Sequence, residues 1–188
     1  MTHALTILIA GLFLLQAPQN VKNPKLSCDD DATTILIGQQ PVLSYVHSTT
    51  PPPQGIDPIY ERSAYIHPLR SPGGEILTRI QPPDHWHHYA IWNPWTRTNF
   101  GDYKVDFWNL KAGEGTVRFA EYLEKIENGN LAGFSVRQEH IYYKKDGSEG
   151  VAMNEIWKIT VKNLQGHAYL VDLHTTLSTA LETGITLE

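Results

Sequence analysis

Three histidines fall within four consecutive positions, at His85, His87 and His88, and a carboxylate, Asp84, precedes them. Imidazole together with carboxylate suits zinc, copper or non-haem iron, so the segment could hold one divalent metal ion. The same groups can transfer protons or hydrogen-bond to a polar ligand. We therefore predict His85, His87 and Asp84 as candidate catalytic residues, and His85, His87 and His88 as candidate metal ligands. The alternative is a structural surface of hydrogen-bonding imidazoles.

Tryptophans surround this segment, with Trp86 inside it, Trp92 shortly after it and Trp108 further along the chain. Flat aromatic rings can stack on the apolar face of a sugar while histidine and aspartate bind its hydroxyls. The expected partner is therefore a carbohydrate or another small-molecule ligand. The competing interpretation is that these rings fill the core of a β-sandwich. The predicted ligand-binding residues are Trp86, Trp92, Trp108, Asp106 and His67.

A strand through the histidine segment would decide which of these side chains act together. Side chains on a strand alternate between its two faces. His85, His87 and Tyr89 would then share one face, with Trp86 and His88 on the other. Strand geometry places the first two histidines about 6–7 Å apart at the backbone. The alternation therefore predicts His85 and His87 as the working pair, with His88 facing away.

Further residues that could act as acids or bases lie in other strand-like runs. A reaction at a sugar needs one acid and one base on opposite sides of the substrate. These residues could converge on the histidine segment, or each could be a solvated residue on an exposed strand face. The chain carries no serine-hydrolase elbow, phosphate loop, C-x-x-C or dinucleotide motif. The residues concerned are His67, His140, His174, Asp106, Glu139 and Glu155.

Alternating apolar and polar residues predict an all-β protein, most simply an antiparallel β-sandwich over residues 34–188. The clearest signal is a hairpin in which Trp157 to Val161 and Tyr169 to Leu177 each alternate. Shorter strand-like runs occur at 34–37, 42–46, 62–69, 75–78 and 104–108. The pattern over Thr116 to Ile126 is mixed and leaves a helix open.

The composition limits the possible partners. The chain has 188 residues, a formal charge of -5 and 15 scattered basic residues, which argues against nucleic-acid binding. One cysteine, Cys28, excludes an intrachain disulfide. The length suffices for one sizeable core.

The two ends of the chain carry their own signals. Ala4 to Leu15 is almost wholly apolar and suits a signal peptide over residues 1–17, with a buried helix or an uncleaved anchor as the alternative. We therefore expect a secreted or periplasmic protein with no stable membrane span after cleavage, and a linker over residues 18–33. The chain ends in the strand-like run Ile185 to Leu187, which predicts a sandwich that is incomplete and truncated at its C-terminus.

Several segments resemble the family catalogued as methane oxygenase PmoA. The resemblance implies a secreted bacterial β-sandwich protein from organisms that degrade polysaccharides, and the family name implies an oxygenase. We expect a protein that binds or processes a carbohydrate at its histidine- and tryptophan-rich site. A metal-dependent, oxygenase-like protein using the same histidines and a non-catalytic interaction domain are the alternatives. The matching segments are 42–45, 51–60, 62–69, 71–74, 82–88, 105–109 and 154–157.

Overall fold

The computed structural model describes residues 22–164 and 168–188. Most of the regular structure in these residues is β-strand, and two short 3-10 helices, Pro58–Tyr60 and Leu110–Ala112, interrupt the strands. The strands are β1 (Pro24–Cys28), β2 (Ala32–Ile37), β3 (Gln40–Val46), β4 (Tyr65–Leu69), β5 (Thr98–Phe100), β6 (Tyr103–Val105), β7 (Gly115–Asn128), β8 (Leu131–Tyr143), β9 (Glu149–Leu164), β10 (Ala168–Thr179) and β11 (Thr186–Leu187).

These strands form three antiparallel sheets. The first has the order β1-β2-β3-β4, the second β10-β9-β8-β7, and a small third sheet has the order β11-β5-β6. In the first two sheets, strands that are neighbours in the chain are also neighbours in space. Such meanders leave one face of each sheet free to bury an apolar surface.

The first and second sheets pack against each other through a shared apolar core. The Tyr45 ring of β3 lies 5.7 Å from the Phe134 ring of β8 and 6.2 Å from the Trp157 ring of β9. All three side chains are fully buried. Two antiparallel sheets with interdigitated inner faces form a β-sandwich, so the predicted all-β sandwich is confirmed.

The predicted hairpin is present in β9 and β10. Trp157, Ile159 and Val161 of β9 are all fully buried, as the alternation requires. Val161 pairs with Val171 of β10 in an antiparallel register. The turn predicted between these strands falls in part on residues 165–167, which lie outside the described residues.

Other segments differ from expectation, and of the predicted run 104–108 only Lys104 and Val105 lie in a strand, β6. Thr116–Ile126 is strand throughout, within β7, and its pairing with β8 shifts between Phe119 and Glu121 and again between Tyr122 and Glu124. Each shift reverses which face the following side chains occupy, and this explains the mixed sequence pattern. Residues 75–78, predicted as a strand, contribute an isolated bridge between Ile76 and Arg70.

The prediction of a linker over residues 18–33 is wrong over Pro24–Cys28 and from Ala32 onward, because these residues form strands. Pro24–Cys28 forms β1 and pairs with β2, which itself begins at Ala32. Pro24 is the first residue of an edge strand, where its missing N–H costs little, and Leu26 packs against the core. The predicted signal peptide, residues 1–17, lies outside the described residues. The part of the chain that is described contains no helix long and apolar enough to cross a membrane.

Candidate functional site

The histidine segment folds as two consecutive turns, and the prediction of a strand through it is wrong. The backbone N–H of His85 donates to the carbonyl of Pro82 at 2.8 Å, and that of His88 donates to the carbonyl of His85 at 3.0 Å. Pro83 occupies the second position of the first turn, where the fixed φ of proline is favoured. The Pro-Pro-Asp sequence thus encodes a turn, and strand alternation does not apply to the histidines.

The two ends of this double turn are held together at the backbone. Gln81 N–H donates to the carbonyl of His88 at 2.8 Å, and Ile80 and Tyr89 form an isolated bridge. Gln81 and Ala90, on either side of the segment, have φ values of 46° and 57°. Non-glycine residues adopt this left-handed conformation at a cost on the order of 1–2 kcal/mol. The surrounding contacts therefore hold the segment in a closed loop.

The turns bring the three imidazoles together. The His85 and His88 rings stack with centroids 4.7 Å apart, because residues three positions apart meet across a turn. The His87 ring lies 4.5 Å from that of His88 and 5.7 Å from that of His85. His88 is therefore central to the group, and the prediction that it faces away from the other two is wrong.

Two of the predicted tryptophans complete this group. The Trp92 and Trp108 rings lie 4.5 Å apart at an angle of 41°, and the His88 ring lies 6.0 Å from each. Both tryptophans are half-buried. We call His85, His87, His88, Trp92 and Trp108 the His–Trp cluster.

Tyr89, predicted to share a face with His85 and His87, is instead fully buried. Its hydroxyl donates to the carbonyl of Tyr60 at 2.5 Å and accepts from the Gln81 side chain at 2.6 Å. These bonds attach the C-terminal end of the double turn to the 3-10 helix Pro58–Tyr60. Tyr89 therefore anchors the segment and contributes no exposed surface.

The remaining predicted site residues differ in how they contact the cluster. Asp84 is exposed, and its Oδ2 lies 3.1 Å from Nδ1 of His85. Asp106 accepts from the backbone N–H groups of Trp108 and Asn109, both at 2.8 Å, and so fixes the turn that carries Trp108. Trp86 is half-buried within the second turn. His67, on β4 of the first sheet, hydrogen-bonds to the Thr78 side chain.

His140 and Glu155 face the core between the two sheets and pair with each other. Nε2 of His140 lies 3.0 Å from Oε2 of Glu155, and both side chains are almost fully buried. Oε1 of Glu155 accepts from Asn93, Trp157 and Thr175, each at 2.7 Å. Burial alone would raise the pKa of Glu155, but the hydrogen bonds from His140, Asn93 and Thr175 lower it below its usual value.

Two residues that sequence reasoning missed connect this buried network to the cluster. Asn93 follows Trp92 directly and donates to Glu155. Arg62 lies beneath Trp92, with its guanidinium carbon 4.7 Å from the ring centre. Arg62 could have been noticed in the sequence because it is a charged residue at the start of the mostly apolar run that leads into β4. Nothing in the local sequence distinguished Asn93.

The electrostatics at His87 and His88 favour neutral imidazoles. Partial burial is the main cause that lowers the pKa of His87 and of His88, and neighbouring histidines lower both further. The Asp106 carboxylate partly opposes the shift at His87, and that of Asp84 does so at His88. A neutral imidazole carries one donor and one acceptor nitrogen. The cluster can therefore both donate to and accept from a hydroxyl-bearing ligand.

The ring separations and the arrangement of the side chains as a group give different indications about a metal. Imidazoles that share one ion have centroids on the order of 5 Å apart, given a metal–nitrogen distance of about 2 Å. The separations of 4.5–5.7 Å among the three rings match this spacing. However, among the described residues no group of three or more His, Cys, Asp or Glu side chains is arranged to hold a metal ion. This side-chain arrangement therefore does not fit a metal site.

A family model described as a family of unknown function, DUF6807, matches residues 32–188. The match covers every strand from β2 onward and includes the whole His–Trp cluster. No curated protein and no solved structure matches the chain.

Proposed function

We propose that this chain, which belongs to the DUF6807 family of unknown function, binds a carbohydrate at the His–Trp cluster. The observation that carries the proposal is the Trp92–Trp108 ring pair, with centroids 4.5 Å apart, beside three clustered imidazoles. Half-buried indoles offer an apolar face to the C–H groups of a sugar. Neutral imidazoles next to them supply donors and acceptors for its hydroxyls.

Asp84 and His85 give the proposed site a pair suited to proton transfer. Their contact, Oδ2 to Nδ1 at 3.1 Å, orients the imidazole, as a carboxylate does when it partners a catalytic histidine. A hydrogen bond from its own backbone N–H and the contact with His85 lower the pKa of the Asp84 carboxyl. We propose His85, Asp84 and His87 as the residues that would process a bound sugar.

Binding to a glycan panel by the purified full chain tests the proposal. The decisive variants are Trp108→Ala and Trp92→Ala, each of which removes one ring of the pair. We expect each to weaken binding by roughly tenfold, the effect of losing about 1.4 kcal/mol of stacking. The matched control is His174→Ala, which removes an exposed histidine from β10. Equal affinities for all four proteins, or no binding to any glycan, would contradict the proposal and favour a non-catalytic interaction domain.

A second proposal is a metal-dependent, oxygenase-like protein with His85, His87 and His88 around zinc, copper or iron. The ring separations favour it, although the side chains would have to rearrange to hold an ion. Elemental analysis of protein purified without chelator distinguishes the two functions. One equivalent of metal, lost in a His85→Ala/His87→Ala variant, would support this second function. Metal-free protein that binds glycans would exclude it.

We further propose that the chain is related to the PmoA-type proteins and is secreted or periplasmic. The sequence of residues 1–17 supports export, and the segments quoted above support the relationship. Fractionation of a bacterium that expresses the full chain tests the location. Protein recovered in the cytoplasm with residues 1–17 still attached would contradict the proposal.

A further inference from the structure

Glu155 is a buried carboxylate whose hydrogen bonds reach from the core toward the His–Trp cluster. The residue lies on β9 and is 1% exposed. Its Oε1 atom accepts from Nδ2 of Asn93 at 2.7 Å, and Asn93 directly follows Trp92 in the chain. A hydrogen bond to an ionised carboxylate is roughly twice as strong as one between neutral groups. The bond therefore ties the segment that carries Trp92 to a fixed point in the core.

The other bonds of Glu155 keep its carboxylate from turning. Nε2 of His140 lies 3.0 Å from Oε2, the oxygen that Asn93 does not use. Nε1 of Trp157 and Oγ1 of Thr175 each donate to Oε1 at 2.7 Å. Buried polar groups that satisfy one another in this way form a rigid network. Asn93 is thus bound to an anchor that is itself held at both oxygens.

Arg62 gives Trp92 a separate contact with the core. Its guanidinium carbon lies 4.7 Å from the centre of the indole ring. Because Arg62 is 2% exposed, the face of the indole that it contacts is the one turned toward the core. The attraction between a cation and an aromatic face sets the depth of the ring but allows it to turn in its own plane. The hydrogen bond of Asn93 supplies the second attachment that this ring needs.

We infer that Asn93 is a positioning residue for Trp92, with Glu155 as its anchor. The bond between them fixes the arrangement in which the Trp92 ring lies 4.5 Å from the Trp108 ring at an angle of 41°. A ring pair that is already in place loses less freedom when a sugar binds, so the hydrogen bond strengthens binding from within the core. The effect on affinity rests on the proposed function, whereas the orientation of Trp92 can be measured without a ligand.

Two variants that each remove one donor from the same oxygen of Glu155 test the inference. Asn93→Leu and Thr175→Val replace the donor with an apolar side chain of similar size, and both lost hydrogen bonds measure 2.7 Å. We expect Asn93→Leu to weaken glycan binding roughly three- to tenfold. Thr175→Val should bind as the original protein does, because Thr175 lies on β10 and carries no part of the cluster. Equal affinities in the two variants would overturn the inference.

¹⁹F NMR of protein labelled with fluorotryptophan tests the positioning without a ligand. Trp92→Phe assigns the Trp92 signal, and Glu155→Met removes the acceptor at a residue that is distant from Trp92 in the sequence. We expect the Trp92 signal to shift in Glu155→Met and to stay in place in Thr175→Val. An unmoved Trp92 signal in Glu155→Met would overturn the inference, and the affinities of Asn93→Leu and Thr175→Val remain decisive if Glu155→Met does not fold. A shifted signal in a protein that binds no glycan would support the positioning of Trp92 and overturn only the carbohydrate function.

Discussion

The guanidinium carbon of Arg62 lies 4.7 Å from the centre of the Trp92 ring, and Arg62 itself is almost fully buried. A cation in this position is attracted to the face of the indole, by about 0.5–2 kcal/mol depending on how far the pair is desolvated. Asn93, the next residue, is attached to Glu155 by a hydrogen bond of 2.7 Å. Trp92 is thus held from the core side, and its orientation depends on buried polar groups rather than on the loop alone.

Replacing Glu155 with alanine should destabilise the fold more than the removal of an exposed charged side chain does. The change leaves the donors of His140, Asn93, Trp157 and Thr175 without their acceptor in the core. Breaking a buried, hydrogen-bonded charge pair costs on the order of 3–5 kcal/mol. Urea denaturation of Glu155→Ala, with the free energy of unfolding extrapolated to water, measures this loss.

Glu124→Ala provides the matched control for that experiment. Oε2 of Glu124 lies 3.7 Å from Nζ of Lys158, and both side chains are about half exposed. Exposed ion pairs of this kind contribute about 0–1 kcal/mol. Glu155→Ala should therefore be the less stable variant by several kcal/mol. Equal losses in the two variants would show that the buried network does not stabilise the protein.

The sandwich could be predicted from the sequence because its strands obey one simple rule. Trp157, Ile159 and Val161 alternate with polar residues, and burial of one face follows directly from that period. The rule failed in β7, where two irregularities in the pairing reverse the alternation. It also failed at the histidine segment, where proline in a turn outweighed the apparent strand pattern.

The members of the site were easier to predict than their arrangement. Histidine and tryptophan are chemically distinctive, so His85, His87, Trp92 and Trp108 could be named from their types alone. Their distances depend on a double turn and on the loop around Asp106, which joins Trp108 to the group. Such contacts between distant segments follow from tertiary structure and leave no local signal in the chain.

Replacing Asp106 with alanine should weaken carbohydrate binding without unfolding the protein. The carboxylate accepts from the backbone N–H groups of Trp108 and Asn109 and from the Asn109 side chain. Its loss frees the turn that positions Trp108, at a cost of about 1–3 kcal/mol in the free energy of unfolding. We expect glycan affinity to fall roughly three- to tenfold. Calorimetric titration gives the affinity, and Asp102→Ala, an exposed aspartate in the neighbouring β5–β6 turn, is the control.

The stability of the fold should decrease as the pH falls below about 6.5, the usual pKa of histidine. The pKa values of His87 and His88 are lowered in the folded protein, mainly by partial burial. As the pH falls, the unfolded chain therefore takes up protons before the folded protein does. The stability that these histidines contribute is fully present above pH 6.5 and is lost as the pH falls through their lower pKa values in the folded state. Urea denaturation at several pH values between 7.5 and 5 follows this change.

A His87→Gln/His88→Gln variant should show a weaker pH dependence over the same range. His67, whose pKa is also lowered by burial, remains and retains part of the slope. The matched control is His174→Gln, because His174 is exposed on β10. If the double variant and the control had the same slope as the original protein, the cluster histidines would not be the groups that titrate.

Replacing Ala90 with glycine should stabilise the protein slightly and leave ligand binding unchanged. Ala90 has a φ of 57°, a conformation that costs a non-glycine residue on the order of 1–2 kcal/mol and costs glycine nothing sterically. The greater freedom of glycine in the unfolded chain offsets roughly 0.5–1 kcal/mol of this gain. The net increase in the free energy of unfolding should be up to about 1 kcal/mol. The control, Ala32→Gly in β2, pairs in regular register with Val46, lacks the strain and should be destabilised. A loss of stability in both variants would show that Ala90 is not strained.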